Sequence, residues 1–553
     1  MKIAFIYSFL KLRDPLDDTD GLPLSTPMLV SNIKDKFPKI SFSQIDLNMI
    51  MRELAKTDIG FNLKVERFDN YIDKIISLRR KQVYSGLRIK SAKNSYADNR
   101  VPQNYFIPTE TVYDKAESIL SRLDKESNLD LYDHYFLTVY KPDELDIVGM
   151  FLTAMYLKKN YPFKKIVVGG LHNFTDSLKD NFDLFPCIDS LVYGYAEGCF
   201  EDIIDDIKAG RLKKTYKSLF SYKDILRSFP DYASFKQLNC FRITNHEIKK
   251  RYFLDFTPSS FQSLILIPYE FSVGCFWNKC AYCGSSGDDF HQKLYMKPVS
   301  EVIRDIKEMK RRYSTDTFIF YNQNFNQTLS YAKALLKEII KHKLNIKWMD
   351  MFNIVNIDEE MIDLLRSAGC IRMDIGVSIL NPSLQKFYGN VLRDNSHLIK
   401  LKKISEKGIW TDVNIITNMP YDFNANDDIE IIKPYFKYMD SCSLNNFRLY
   451  SSSDIFKNPK RYKIKKIDEA VKVGAKIAPL SFVEKNFPFG IEKRKKIFAK
   501  NFMLWEKVLY ENKIVSNLKL FPLITALYKE FSFENKNIIK KYVLNYYKRV
   551  KQD

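Results

Sequence analysis

Three cysteines lie within nine residues: Cys275, Cys280 and Cys283, in a C-x4-C-x2-C pattern. Thiolates at this density suit three irons of a [4Fe-4S] cluster, with the fourth iron left open for a small-molecule ligand. A zinc site is the alternative. It takes a fourth protein ligand, and His291 is the nearby candidate. Cys240, Cys370 or Cys442 could supply that ligand from a distance. Three merely buried thiols would leave such dense spacing unexplained. The other five cysteines, with Cys187 and Cys199 completing the set, read as small buried residues.

The elements that position the trio follow from hydropathy. The trio closes a β-rich run at 264–273, so it sits at the C-terminal end of a strand. Further strands are predicted at 317–321, 346–353, 371–377, 411–417 and 441–450. Helices are predicted between them at 300–313, 329–342, 358–368, 396–407 and 427–438. Six strands with five intervening helices make a partial (β/α)6 barrel. Right-handed crossovers put its site at the C-terminal rim of the strands.

A second α/β layer precedes it. Strands are predicted at 2–8, 40–46, 134–140, 165–168 and 189–193. Helices are predicted at 27–37, 143–160, 175–182 and 200–208. Strands alternating with helices imply a mainly parallel sheet. The fold class is therefore α/β. The domain reading is 1–210 as a Rossmann-like domain with a helical insertion at about 50–130, 211–262 as a linker, 263–455 as the barrel, and 456–553 as a mostly helical region.

Composition narrows the function classes. With 553 residues, 45% of them hydrophobic, the chain builds a large core and is not globally disordered. A net charge of +20 is spread along the chain and selects no partner by itself. Eight cysteines in a chain this long are no disulfide scaffold. No apolar run reaches the roughly 18 residues of a membrane span, and no signal peptide is visible, so a cytoplasmic, reducing setting is expected.

The barrel residues resemble the radical S-adenosylmethionine (SAM) enzymes. That family commonly carries C-x3-C-x2-C, and this chain has one residue more in the first gap. A longer gap with a Trp after the first Cys, like Trp277, resembles a subgroup that matures ribosomally made peptides (RiPPs). The resemblance implies SAM contacts at Tyr282, Gly284, Ser285, Ser286, Ser378, Asn414 and Ile416, with Gly287 completing the small-residue segment. Where the family often has Gly-x-Glu-Ser, this chain has Val377 in place of the acid. It also implies that one-electron reduction of the cluster cleaves SAM to a 5′-deoxyadenosyl radical, which takes hydrogen from an unactivated C–H bond.

The pieces around Thr138, Gly169, Gly170 and Gly194 resemble the cobalamin-binding domain often placed before such a barrel. These four residues are the implied cobalamin contacts. The motif Asp-x-His-x-x-Gly is absent, and His172 stands outside that context, so no cobalt-ligating His is expected. A G-x-G-x-x-G after a strand is also absent, which argues against a plain dinucleotide site.

Other features have two readings each. The amides Asn322, Gln323, Asn324 and Asn326 bind substrate or ribose, or serve turns and caps. Arg448 grips a carboxylate, or forms a rim salt bridge. The basic tail binds an acidic leader peptide, or is a solvated helical face. The leading function is a cobalamin-dependent radical SAM C-methyltransferase acting on a peptide, served by a one-electron reductant such as flavodoxin or ferredoxin. The alternative is a radical SAM cyclase, epimerase or rearrangement catalyst without methyl transfer. A reading of another class, an RNA-binding module with a structural metal, rests on charge alone, since no RNA-binding signature is present.

Overall fold

A computed structural model of the chain describes residues 1–9, 22–84, 108–139, 144–170, 185–194, 196–217, 229–284, 293–422, 424–447, 449–450, 453–466, 476–477, 482–484, 491–516 and 520–552. They form two compact units. One holds Met1–Asp14 and Pro23–Phe241, and the other holds Arg242–Glu469 and Ala475–Asp553.

The first unit is a six-stranded sheet: β1 (Lys2–Tyr7), β2 (Ser41–Asp46), β3 (His134–Val139), β4 (Ile166–Gly170), β5 (Ser190–Tyr193) and β6 (Thr215–Lys217). The spatial order is β2-β1-β3-β4-β5-β6, and every pair is parallel. Residues 3–7 of β1 are all buried, as expected of a strand covered on both faces. Ala4 and Ile6 pack with the helices Leu47–Thr57, Ile59–Tyr84, Glu110–Ser127 and Glu144–Asn160. Ile3 and Phe5 pack on the other side with Ser25–Ile33 and Phe200–Lys208. The strand order reverses beside β1, so the crevice of this doubly wound sheet opens at the C-terminal ends of β1 and β3. The expected insertion is helical where it is described. The helix expected at 175–182 lies outside the described residues.

The second unit holds a seven-stranded parallel sheet. It runs β7 (Ile267–Tyr269), β8 (Thr317–Phe320), β9 (Lys347–Phe352), β10 (Cys370–Ser378), β11 (Trp410–Thr417), β12 (Ser441–Asn446) and β13 (Val515–Ser516), each beside the next. Neighbours in sequence are neighbours in space, which is the winding of a barrel. The intervening helices are amphipathic. In Val299–Tyr313 the buried side chains include Val302, Ile306, Met309 and Tyr313, one stripe of a helical period. Thr328 and Asp358 cap the next two helices through their side chains. At the beginnings of the strands, Ile371, Trp410 and Val515 join a core with the helices Phe521–Phe531 and Lys536–Gln552.

Several elements differ from expectation. The run 264–273 is broken into Ser263–Leu264, Ile267–Tyr269 and Ser272–Val273, of which only the middle piece joins the barrel sheet. Residues 211–262 include β6 and a helix, Asn245–Tyr252, closed by a Thr244–Glu247 capping box. The C-terminal region supplies the edge strand β13, two residues long and too short to leave a period. Among the described residues no helix is long and apolar enough to cross a membrane.

A buried ion pair joins the first barrel strand to the first barrel helix. Lys297 and Asp305, each 1% exposed, pair with one another, and the Tyr269 hydroxyl donates to the same carboxylate at 2.9 Å. Asp305→Asn leaves the ammonium buried without its counter-charge, which costs about 3–5 kcal/mol. The expected result is an earlier urea transition in this unit. The double change Lys297→Met with Asp305→Leu recovers most of the loss.

Candidate radical SAM site

The cysteine loop leaves the barrel after β7 and is closed by antiparallel pairing of Ser272–Val273 with Tyr295–Met296. Amides from the loop after β8 hold its first half. Asn322 Oδ1 accepts from the amides of Phe271 and Ser272 at 3.1 and 2.9 Å. Gln327 accepts from Phe276 N at 3.0 Å and donates to the Gly274 carbonyl at 2.7 Å. Asn324 Nδ2 lies 3.9 Å from the Cys275 sulfur. The Asn-rich segment thus serves the cysteine loop itself, a role outside both readings of the sequence. The second half is held from β11's side of the barrel and beyond. Ala281 N donates to the Tyr388 carbonyl at 2.8 Å, and Ile455 N donates to the Ala281 carbonyl at 3.0 Å.

The donors around the sulfurs suit thiolates. The backbone amides of Trp277 and Asn278 donate to Cys275. The Tyr282 hydroxyl and the Val391 amide lie on the Cys280 side and favour its thiolate. Burial pushes the Cys275 thiol up and the Cys280 thiol up to about 12, and the neighbouring Cys283 adds to both. Without a cation these two thiols stay protonated at neutral pH. A positively charged core removes that obstacle, so the donor set fits an iron–sulfur cluster. Among the described residues no three His, Cys, Asp or Glu side chains converge on the position of a single ion. Three corners of a cluster, each thiolate on its own iron, need no such convergence. Cys370 and Cys442 are buried in β10 and β12, and Cys240 belongs to the first unit. His291 lies outside the described residues.

The expected SAM contacts fall into two groups. Tyr282, 8% exposed, accepts a hydrogen bond from Asn390 Nδ2 at 3.0 Å, with Ser378 and Cys280 beside its hydroxyl. Ser378 ends β10 with φ at 64°, a conformation that is uncommon for any residue with a side chain. Asn414 and Ile416 are half-buried on β11, alternating with the buried Val413, Ile415 and Thr417. Gly376 and Asn414 are register partners, as are Asn414 and Ser443. The Asn414 side-chain amide makes no hydrogen bond among the described residues. Gly284 is half-buried beside Cys283. Ser285, Ser286 and Gly287 lie outside the described residues, as does Arg448.

Sequence reasoning missed the floor of this face. Arg372 donates to Asp374 Oδ1 and Asp412 Oδ2, each at 2.8 Å, and Ser443 adds a bond to Asp412 at 3.3 Å. One guanidinium faces two carboxylates. Tyr321 and Met351, both 44% exposed, present apolar surface, and Met351 lies beside Asp374 as its register partner. The alternation of charge along β10 and β11 (Arg372, Asp374, Asp412) was the available signal.

In the first unit, Tyr7, Thr138 and Gly169 form one row across β1, β3 and β4 at the C-terminal ends. The Thr138 hydroxyl lies 3.3 Å from that of Thr26. Gly170 pairs with Val139, and Gly194 turns the chain after β5 with φ at 89°. A Cβ added at Gly169 would meet Val192 Cβ at 3.8 Å, an ordinary contact, so the fold itself does not demand glycine there. Ser8 follows β1 at the reversal of strand order, and its buried hydroxyl has no hydrogen-bond partner among the described residues. An orphaned hydroxyl and a glycine without an internal reason suit a polar ligand in this crevice. His172 lies outside the described residues.

Residues 269–433 match the Radical SAM superfamily. The chain contains a radical SAM domain, an enzyme domain. Relatives extend the likeness beyond it. An uncharacterized methyltransferase of Pyrococcus horikoshii is 23% identical over 317 residues, 55% of this chain and 66% of that one. Bacteriochlorophyllide d C-12(1)-methyltransferase of Chlorobaculum tepidum is 24% identical over 226 residues, 40% of this chain and 44% of that one. The matches thus span two thirds or less of these relatives. Among solved structures, the radical SAM methyltransferase TsrM of Kitasatospora setae, with tryptophan and a SAM analogue bound, superposes with a TM-score of 0.57 at 12% identity, over 98% of this chain and 99% of that one. The cobalamin-dependent radical enzyme OxsB, with aqua-cobalamin and SAM bound, gives 0.56 at 12% identity over 98% and 71%. The N-terminal sheet and the radical SAM domain together therefore share the fold of these two proteins.

Replacing Cys275, Cys280 and Cys283 together by Ala is expected to abolish binding of iron and sulfide while the far-ultraviolet circular dichroism stays that of the wild type. Iron and sulfide retained by the triple variant would refute the ligand assignment.

Proposed function

We propose that the protein is a cobalamin-dependent radical SAM methyltransferase, and that it methylates an unactivated carbon of a peptide. The observation that carries the reading is one chain with both parts: a thiol trio with thiolate-directed donors, and a doubly wound sheet with an orphaned hydroxyl at its crevice. The likeness of the whole chain to cobalamin-dependent radical SAM structures supports it. For the peptide substrate, the support is the resemblance of the longer first gap and of Trp277 to the RiPP-maturing subgroup.

In this reading Cys275, Cys280 and Cys283 hold the cluster. Thr138, Gly169, Gly170, Gly194 and Ser8 line the cobalamin side. When bound, the cluster with SAM supplies a radical to activate the substrate, and cobalamin supplies the methyl group. The chain's own part is placement. Tyr282 is held by Asn390, which orients the ring beside the cluster. Asn414 presents an unengaged amide to SAM, with Ile416 beside it. Tyr321 and Met351 present apolar surface that excludes water from a reacting carbon. The Asp374 and Asp412 carboxylates suit a substrate group that donates hydrogen bonds. A soluble one-electron reductant in a reducing cytoplasm completes the reading.

Reduced, cluster-loaded protein is expected to convert SAM to 5′-deoxyadenosine and to move an isotope-labelled methyl group from SAM to a candidate peptide. Absence of 5′-deoxyadenosine with every substrate tried would count against the catalytic reading. For the cofactor, wild-type protein takes up cobalamin in a spectral titration. Gly169→Leu weakens that uptake at least about tenfold, because the side chain fills the approach to the crevice. Full uptake by Gly169→Leu would overturn the proposed position. No uptake by the wild type, with iron and sulfide intact, would favour a radical enzyme without methyl transfer.

A further inference from the structure

Distant stretches of chain meet the cysteine loop of the second unit. Trp277 lies between the first two cysteines in sequence, and its Nε1 donates to the Gly389 carbonyl at 2.7 Å. The Tyr388 carbonyl accepts from Ala281 N at 2.8 Å, and Ile455 N donates to the Ala281 carbonyl at 3.0 Å. Gly389 has φ at 65°, and a Cβ there would stand 2.6 Å from the Lys279 carbonyl oxygen. Only glycine meets both conditions without displacing the segment 388–393. These contacts fix residues 382–393 and 454–463 against the loop.

The surface at this junction is basic and aromatic. The Lys279 ammonium and the Arg393 guanidinium each lie 5.3 Å from the centre of the Trp277 ring, and both residues are exposed. Lys386 is exposed as well, and Phe387 beside it is 39% exposed. Phe387 packs edge-on against Tyr388 and Tyr462, at 4.9 and 5.7 Å between ring centres, so its ring is held in place. Exposed Lys460 and Lys463 flank Tyr462 in the chain. The carboxylates described on these stretches have local partners. Asp394 accepts from Ser396 N and Oγ at 2.8 and 2.5 Å, and Asp454 pairs with Arg461 at 3.5 Å. Lys279, Lys386 and Arg393 form no ion pair among the described residues.

Unpaired cations around exposed rings, beside a cluster ligand, suit a transient partner. Lys279 directly precedes Cys280, so an electron delivered at this surface has a short way to a ligating sulfur. Surface cations without partners steer an oppositely charged protein to the site, and their effect falls on the rate of encounter. The rings choose among acidic electron carriers, because a flavin presents an apolar ring edge that packs on aromatic side chains. We propose that Lys279, Lys386 and Arg393, around Trp277 and Phe387, form the docking surface for an acidic flavodoxin. Its flavin hydroquinone anion gives one electron to the oxidised cluster and becomes the neutral semiquinone. No proton is exchanged, and no bond in this chain breaks. The proposal rests on the reading that Cys275, Cys280 and Cys283 hold that cluster.

Charge reversal tests it. Lys386→Glu with Arg393→Glu reverses the patch. Lys541→Glu with Lys548→Glu makes the same change in net charge at exposed positions of the last helix, which packs at the beginnings of the strands. Wild type and both double variants are loaded, and iron and sulfide are measured in each. Binding of oxidised flavodoxin is followed by calorimetry, and cluster reduction by photoreduced flavodoxin is followed in stopped flow. Photoreduced 5-deazariboflavin, small and uncharged, is the donor that needs no docking. At low salt the patch variant is expected to bind flavodoxin about tenfold more weakly and to be reduced by it about tenfold more slowly. Added salt slows the wild type toward the variant. The helix variant behaves as the wild type, and deazariboflavin reduces every protein alike. Unchanged binding and rate in the patch variant overturn the proposal, and so does an equal loss in the helix variant. Slower reduction of the patch variant by deazariboflavin overturns it too, since the cluster rather than the docking would then have changed. If the patch variant loads no iron, Lys386→Gln with Arg393→Gln carries the test under the same criteria. Charge-dependent reduction by a ferredoxin, with flavodoxin indifferent to the patch, overturns the flavin assignment. A wild-type protein without iron and sulfide refutes the cluster reading itself, an outcome separate from any loss of docking.

Discussion

Thiols that are to become ligands must be buried, and burial by itself keeps them protonated. That conflict governs the second unit. Cys275 and Cys280 are half-buried, and desolvation pushes their thiols up. The chain compensates with polar groups that favour the thiolates, from the loop itself and from Asn324 after β8. A loop of this size has no core of its own, so its shape is borrowed. Gln327, Tyr388, Gly389 and Ile455 each bond to its backbone or to Trp277. The barrel matters here as a frame that brings four distant segments to one rim.

The same frame explains the inner face. A strand alternates, so β10 and β11 each present one set of residues to the helices and one set to the concave side. Val413, Ile415, Ile375 and Val377 are fully buried, whereas Asp374, Gly376, Asn414 and Ile416 are half-buried. The concave side grades from the apolar core at the strand beginnings, through the Arg372, Asp374 and Asp412 layer, to Ser378 and Asn414 near the cysteine loop. A polar layer between a dry core and an open rim is stable because Arg372 satisfies both carboxylates at once.

Much of this was legible in the sequence. The strands of both sheets from β1 to β5 and from β8 to β12 leave runs of alternating or continuous apolar residues long enough to recognise. The spacing of Cys275, Cys280 and Cys283 marks them as candidate ligands before any fold is known. The strands that escaped notice are the short ones. β6 is Thr215–Lys217 and β13 is Val515–Ser516, and neither spans a full period of any pattern. The run at 264–273 was legible as β but not as three pieces, because the break is made by pairing with Tyr295–Met296 and by the barrel edge, both non-local. The segment 388–393 was illegible for the same reason. Its hold on the cysteine loop lies in carbonyls and amides, which every residue carries, and only Gly389 departs from the ordinary.

Net charge illustrates the opposite failure, a global quantity that says little about the site. The chain carries +20, yet many of its cations are engaged at the surface. Lys333 pairs with Asp358 and Glu360, and Arg311 and Arg312 share Glu308. Such exposed pairs are screened within about 10 Å at ordinary ionic strength. On the concave face the described charges are paired inward, Arg372 with Asp374 and Asp412. Interactions there are screened far less than at the surface, so this local pattern, rather than the basic total, is what a bound molecule meets. Around the cysteine loop the pattern differs, with Lys279 and Arg393 at the Trp277 ring. One unit therefore sets positive charge at the Trp277 ring of the cysteine loop and a paired Arg372, Asp374 and Asp412 layer deeper in the barrel.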